Sequence, residues 1–283
     1  MATNAYIVEP VGSHTHSLIL LHGLGSTGDK FGRELIENGI SSDGKSLPQL
    51  LPGARFIFPT SKRRRSTAFD RSVLTQWFDI ASLDDPSFRN YTQFKGMEES
   101  SREIFHLINQ ERENVPDKNI ILGGISQGCA MGFMCLLAMD FPIGGYIDMS
   151  SWLPFADDFE CMISASHDIC LSGEEDNPFA VSNEESDPEN LSAKAHIYAK
   201  ELLGLETDHT LELEPPSTPV FIGHGEEDEK VKFGLGEEAR RIFSSIGYDV
   251  NWKCYAELGH WYNVPGEIDD ILDFIRNNVG WSL

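Results

Sequence analysis

The sequence predicts an α/β fold: a mostly parallel central sheet with helices on both faces. Three observations predict it. Short apolar runs alternate with stretches of helical periodicity. The runs are apolar at consecutive positions, as in strands covered on both sides. One run also passes through a glycine-rich turn directly into a long apolar stretch, the signature of a buried strand–turn–helix unit. A chain of 283 residues, 40% apolar and 10% aromatic, is ample for a packed core, and one domain over 1–283 is expected.

The predicted strands are 17–21 (SLILL), 55–58 (RFIF), 119–122 (NIIL), 145–149 (GYIDM), 219–222 (PVFI) and 250–255 (VNWKCY). Helices are predicted between and after them. The stretch 98–111 places Ile104, Leu107 and Ile108 on one face, and 127–138 is almost wholly apolar and should be buried. The stretches 236–246 and 267–277 each carry an apolar stripe at helical spacing.

The interval 157–214 departs from this pattern. It holds sixteen acidic residues against Lys194 and Lys200, a net charge of −14, and is rich in Ser, Asn and Pro. It reads as a solvated, partly flexible acidic insertion with one short helix at 189–203, or alternatively as a lid over a functional site.

Charge bounds the partners. Lys and Arg total 22 and Asp and Glu 45, so the formal charge is −23. Such a chain is repelled by phosphate backbones and anionic lipid, which argues against nucleic acid and favours a neutral or cationic substrate. No apolar run is long enough to span a membrane. The opening MATNAYIVEP lacks a basic and an apolar signal region, and the five cysteines form no CxxC pair. A cytoplasmic protein with reduced thiols is expected. Lys62-Arg63-Arg64-Arg65 with Arg71 has three readings: a nuclear address, a contact for an anionic substrate group, or a solvated loop answering the acidic stretch.

Predicted strand 119–122 runs into Gly123-Gly124-Ile125-Ser126-Gln127-Gly128 and then into the apolar helix. This is G-x-S-x-G in its strand–turn–helix setting. The sharp turn lifts the serine hydroxyl above the end of the sheet and sets it at a helix N-terminus. A serine nucleophile needs a base, and the base an orienting acid. On α/β-hydrolase folds the chain order is Ser, acid, His. Downstream of Ser126 lie His167, His196 and His209 in the acidic stretch, His224 directly after strand 219–222, and His260 after the last strand. His260 has the position a base requires. The acid then comes from Gly223-His224-Gly225-Glu226-Glu227-Asp228, where Asp228 is favoured and Glu226 and Glu227 compete. Backbone donors for an oxyanion are expected from Gln127 and from the loop His22-Gly23-Leu24-Gly25-Ser26-Thr27-Gly28. That loop has no G-K-[ST], which argues against phosphate binding.

These segments occur in a telling order. His22-Gly23-Leu24-Gly25, Trp77-Phe78-Asp79, the Ser126 pentapeptide, Ser151-Trp152-Leu153-Pro154, His224–Asp228 and Gly259-His260 together resemble the phospholipase/carboxylesterase family of α/β-hydrolases, which includes acyl-protein thioesterases. The resemblance implies a catalytic set of Ser126, Asp228 and His260 and an oxyanion hole from the backbone of Leu24 and Gln127. It also implies substrate contacts from Leu24, Trp77, Trp152 and Leu153. It implies hydrolysis of an ester or thioester, S-acylated protein included, with no metal or organic cofactor, by a monomer or homodimer. A small-metabolite or lysophospholipid esterase and a catalytically silent binding module are the alternatives. The chain departs from the family pattern at Ser26, where relatives usually carry Asp, at Glu229, where they carry Pro, and in the acidic stretch.

Overall fold

Consecutive apolar positions build the centre of the sheet, and the order in which they pair decides where its ends open. The computed structural model describes residues 4–171, 188–207 and 216–282. In chain order the elements begin β1 (Ala5–Val8), β2 (His16–Leu21), α1 (Gly28–Asn38), α2 (Leu47–Leu50), β3 (Ala54–Pro59), β4 (Arg63–Arg65) and β5 (Val73–Thr75). They continue α3 (Phe94–Arg112), β6 (Ile120–Ile125), α4 (Gln127–Leu137), β7 (Gly145–Met149), α5 (Ala156–Leu171) and α6 (Pro188–Leu202). The last are β8 (Val220–Gly225), α7 (Phe233–Ser245), β9 (Val250–Tyr255) and α8 (Gly266–Asn277).

Seven strands form one sheet in the order β1-β3-β2-β6-β7-β8-β9. Only β1 runs antiparallel, against β3. The others pair parallel, with Leu21 opposite Gly124, Met149 opposite Gly223, and Gly225 opposite Tyr255. Their carboxyl ends therefore line one edge, where ligands bind in open parallel sheets. Helices α1 and α8 close one face through Phe31, Leu35, Ile268 and Ile275. Helices α3, α4 and α7 close the other through Ile104, Ile108, Phe133, Ile242 and Phe243. All eleven residues of α4 are buried, as its continuous apolar sequence predicts. Among the described residues no helix is long and apolar enough to cross a membrane.

The six predicted strands are present within one to three residues at each end, and the four helices lie where the periodicity placed them. Strand β1, helix α1 and the β4–β5 hairpin are additions. The hairpin pairs Arg64 with Leu74 and carries no apolar alternation for a sequence reading to find.

In the acidic stretch the short helix expected at 189–203 is present as α6, whereas α5 at the other end is an addition, and both are packed into the fold. Helices α5 and α6 pack on each other, on α4 and on α7. Phe159, Leu191, Ala195, Ala199 and Leu203 are buried in the main core. The apolar positions recur every fourth residue along α6, but charge dominates any window that contains them. Residues 172–187 and 208–215 of that stretch, His167's ring and His209 lie outside what the structure describes.

Candidate active site

Strand β6 ends at Ile125 and α4 begins at Gln127, so one residue, Ser126, makes the whole turn. It has φ 55° and ψ −129°. That backbone is strained for any side chain bearing a Cβ, and it persists because its surroundings over-determine it. The Ser126 N–H donates to the Met149 carbonyl at 3.0 Å. The flanking glycines let strand and helix close on β2: a Cβ at Gly124 or Gly128 would lie 2.2 or 2.3 Å from the Leu21 carbonyl oxygen. That oxygen belongs to a buried strand and cannot retreat. Gly128→Ala should therefore cost about 1–3 kcal/mol, read as a fall in Tm. Gly234→Ala, where nothing lies within 4 Å, should leave Tm unchanged or slightly higher. An unchanged Tm for Gly128→Ala would contradict the tight elbow.

Two loops at the same sheet edge complete the group. The His260 Nε2 lies 3.0 Å from the Ser126 hydroxyl, and its Nδ1 lies 2.8 Å from Asp228 Oδ2. Since a carboxylate only accepts, Nδ1 carries the proton and Nε2 is free to take one from Ser126. The other Asp228 oxygen accepts the Lys230 and Val231 N–H groups at 2.8 and 2.9 Å. Glu226 and Glu227 are exposed, whereas Asp228 is buried. Burial alone would raise the Asp228 carboxyl. Hydrogen bonds from His224, His260 and the Val231 N–H outweigh it and hold that carboxyl well below the usual range. The two loops are tied together: the Glu227 N–H donates to the Leu258 carbonyl at 3.0 Å. Ser150, a residue the sequence reading passed over, donates its hydroxyl to the Trp261 carbonyl at 3.0 Å and steadies the His260 loop.

The glycine loop after β2 lies against the serine; a Cβ at Gly23 would sit 3.4 Å from the Ser126 Cβ. Buried His22 anchors the loop. Its Nδ1 donates to the Gly23 carbonyl at 2.7 Å and its Nε2 accepts the Ser61 N–H at 3.0 Å, so the ring is neutral. Burial lowers its pKa to about 4. The β4–β5 hairpin holds the loop from outside, through Gly25 N–H to the Thr75 carbonyl at 2.8 Å and the Thr75 hydroxyl to the Ser26 carbonyl.

Trp77 is not at the mouth of the site. It is 1% exposed, and its indole N–H donates to the His22 carbonyl at 2.7 Å. Its backbone N–H donates to the Gln127 side-chain oxygen at 3.0 Å, and Gln127 Nε2 donates to the Phe78 carbonyl at 2.9 Å. The Trp77–Phe78 strap thus laces the glycine loop to the serine elbow. The expected substrate contact for Trp77 is replaced by this supporting role. Leu153 is likewise in the core, at 3% exposure, and is not among the residues lining the cavity beside Ser126.

Above Ser126 and His260 opens a cavity of about 630 Å³. Leu24, Gln127 and Trp152 line it, with Leu74, Ile80 and Val231 among the further apolar walls. Phe69, Leu83 and Trp261 form its rim and are 40–42% exposed. Among the described residues none of α5 or α6 lines it. Among the described residues no cluster of His, Cys, Asp and Glu is arranged to hold a metal.

A family profile described as Phospholipase/Carboxylesterase matches residues 2–192. The chain belongs to the phospholipase/carboxylesterase family. The matched stretch contains the glycine loop and the Ser126 elbow; Asp228 and His260 lie beyond it. Relatives matched over the full length reach them. An acyl-protein thioesterase 1 of Gibberella zeae is 28% identical over 280 residues, covering 97% of this chain and 96% of the relative. One from Saccharomyces cerevisiae is 26% identical, with 93% and 92% covered. The crystal structure of Zea mays acyl-protein thioesterase 2 superposes with a TM-score of 0.66 at 23% identity, covering 99% of this chain and all of that one. A Bacillus cereus carboxylesterase gives 0.56 at 11% identity, with 96% and 92% covered. These likenesses establish the α/β-hydrolase fold.

Against this family background the basic hairpin finds its partners within the fold. Lys62 pairs with Glu103 at 2.7 Å, and Arg64 with Glu99 at 2.9 Å, both on α3. Arg64 also donates to the Gln76 carbonyl at 2.8 Å. Among the described residues these acidic partners are on α3, and none of Lys62–Arg65 lines the cavity.

Proposed function

We propose that this member of the phospholipase/carboxylesterase family is a serine hydrolase that cleaves acyl esters or thioesters through an acyl-enzyme at Ser126. The observation that carries this reading is the hydrogen-bonded chain Ser126–His260–Asp228 at the base of an apolar cavity. His260 Nε2 takes the hydroxyl proton as the Ser126 oxygen attacks the acyl carbonyl. Asp228 stabilises the imidazolium that forms. The Leu24 and Gln127 N–H groups hold the tetrahedral oxyanion, each donor contributing about 3 kcal/mol. As the carbon–oxygen or carbon–sulfur bond breaks, His260 returns its proton to the departing alcohol or thiol. The same imidazole then activates water, which releases the acid and restores Ser126.

The apolar walls support an acyl chain as the group bound in the cavity, and the exposed aromatic rim supports one that enters from solvent. The acyl-protein thioesterases among the relatives support an S-acylated peptide as the substrate. Free Cys129, Cys135, Cys161 and Cys254 support work in a reducing compartment, the cytosol. The test compares kcat/KM on an S-palmitoylated peptide, a lysophospholipid and p-nitrophenyl esters of rising chain length. The thioester reading expects the palmitoylated peptide to lead by tenfold or more. A lead by lysophospholipid or short esters would assign the small-ester activity instead, and no turnover of any would reject the hydrolase.

A further inference from the structure

The wall of the cavity above Ser126 is largely apolar and carries one charge. Among the described residues that line it, Lys230 is the only Lys, Arg, Asp or Glu. The basic stretch Lys62–Arg65, which the sequence offers as a contact for an anionic group, contributes nothing to that wall. Lys230 follows Glu229, a position at which the chain departs from the family pattern. Its backbone is fixed by the catalytic acid: the Lys230 N–H donates to Asp228 Oδ1 at 2.8 Å, and the Val231 N–H donates to the same oxygen at 2.9 Å. The other Asp228 oxygen holds His260. One turn therefore carries both the acid and Lys230, on the His260 side of Ser126. The apolar side chains of Leu74, Ile80 and Leu83 come from the segment that Thr75 ties to the glycine loop, on the other side. A bound acyl group aims its carbonyl oxygen at the glycine loop and the Gln127 N–H, and its departing oxygen or sulfur at His260. The lysine thus stands at the leaving-group end.

Nothing in the fold takes up its charge. Among the described residues the lysines held in ion pairs are Lys62, Lys200 and Lys253. Glu226, Glu227 and Glu229, the acids nearest in the chain, are exposed, and none lines the cavity. Asp84 and Asp85 lie between the lining residues Leu83 and Pro86 and are also exposed. The Asp85 carboxylate accepts the Ser87 N–H at 3.0 Å and the Ser87 hydroxyl at 2.6 Å, and Lys232 is the cation that favours its charge. A lysine offers three donors and no acceptor, so in an apolar wall it discriminates between ligands by charge.

We infer that Lys230 is a specificity-determining residue that selects acyl substrates whose leaving group carries a carboxylate close to the scissile bond. The inference deepens the hydrolase reading above and rests on it. One ammonium with no second cation beside it suits the single charge of a carboxylate better than a phosphate dianion, which calls for a bidentate or multiple contact. The net charge of −23 favours neutral or cationic ligands at a distance. Salt screens that field beyond about 8–10 Å, whereas a contact at the cavity wall persists, so the local cation decides among ligands already bound.

Two esters test it: 3-carboxyphenyl butyrate and its uncharged isostere, 3-carbamoylphenyl butyrate. The ratio of their kcat/KM values, charged over neutral, should fall about fivefold in Lys230→Met; comparison of the two proteins cancels the esters' own reactivity. The loss should lie in KM for the carboxylate ester and shrink in about 0.5 M salt. Lys230→Arg should keep the wild-type ratio within about twofold, and Lys230→Glu should lower it below that of Lys230→Met. Lys232→Met, exposed and off the cavity wall, should leave the ratio unchanged. An unchanged ratio in Lys230→Met overturns the inference. So does an equal fall for the p-nitrophenyl monoester of glutaric acid against p-nitrophenyl valerate, where the carboxylate sits on the acyl side. Binding gives a readout that needs no turnover. In Ser126→Ala protein, fluorescence of the cavity residues Trp152 and Trp261 reads the Kd of each ester. The carboxylate ester should bind about fivefold tighter, and adding Lys230→Met should remove the margin. Equal affinities before that change overturn the inference, whereas absent Ser126-dependent turnover rejects the hydrolase reading alone.

Discussion

Ser126→Ala should lower kcat on a p-nitrophenyl ester by about five to six orders of magnitude and abolish labelling by a fluorophosphonate probe. Loss of a triad nucleophile typically removes that much, because base and acid have nothing left to activate. The residual rate over water then comes from the oxyanion donors and binding alone. Alanine fits the position: it keeps the Cβ and removes only the hydroxyl that meets His260 at 3.0 Å. The backbone bonds of Ser126 to Met149 and Ala130 do not involve its side chain. The variant should therefore fold, and its circular dichroism and Tm should match the wild type within a few degrees. Retained probe labelling in a folded Ser126→Ala protein would sink the nucleophile assignment.

Asp228→Asn should reduce kcat by about four orders of magnitude with little change in KM. An asparagine amide in that place either presents N–H to His260 Nδ1 or leaves the wrong tautomer favoured, so Nε2 no longer accepts the serine proton. It also cannot neutralise the imidazolium formed in the transition state. Glu226→Gln and Glu227→Gln, both exposed, should stay within about threefold of wild type. If either glutamate variant loses more activity than Asp228→Asn, the acid is misassigned. The carboxyl held well below its usual range also sets a sign for stability. The folded state favours ionised Asp228, so its contribution is present above the ordinary carboxylate range and is lost as pH falls through it. Asp228→Asn should flatten the acid side of a Tm–pH curve.

Much of this was legible before any fold was known, and particular residues show why. The glycines at 124 and 128 and the apolar runs on either side are local signals, since an elbow needs only a few consecutive residues to form. Strand 145–149 is equally legible as a short apolar run. Trp77 shows the opposite limit. Its place in an ordered motif pointed to the site, but whether an indole faces substrate or the His22 carbonyl depends on which way the chain turns over it. Helix α6 is legible as a helix, and its burial is not, because its small residues count as core only once α4 lies against them.

The sequence by itself determined the class of fold, the elbow serine, the order serine–acid–histidine and the glycine loop beside it. All of these are written in periodicity, turn chemistry and chain order within short windows. Only the tertiary structure set Asp228, and neither exposed Glu226 nor Glu227, against His260, and sent Trp77 and Leu153 inward while Trp152 lined the cavity. Those outcomes depend on the direction of single side chains across contacts 32 to 134 residues apart, such as His260 with Asp228 and with Ser126. A one-dimensional pattern carries the spacing along the chain, whereas these choices are made by which strand lies next to which.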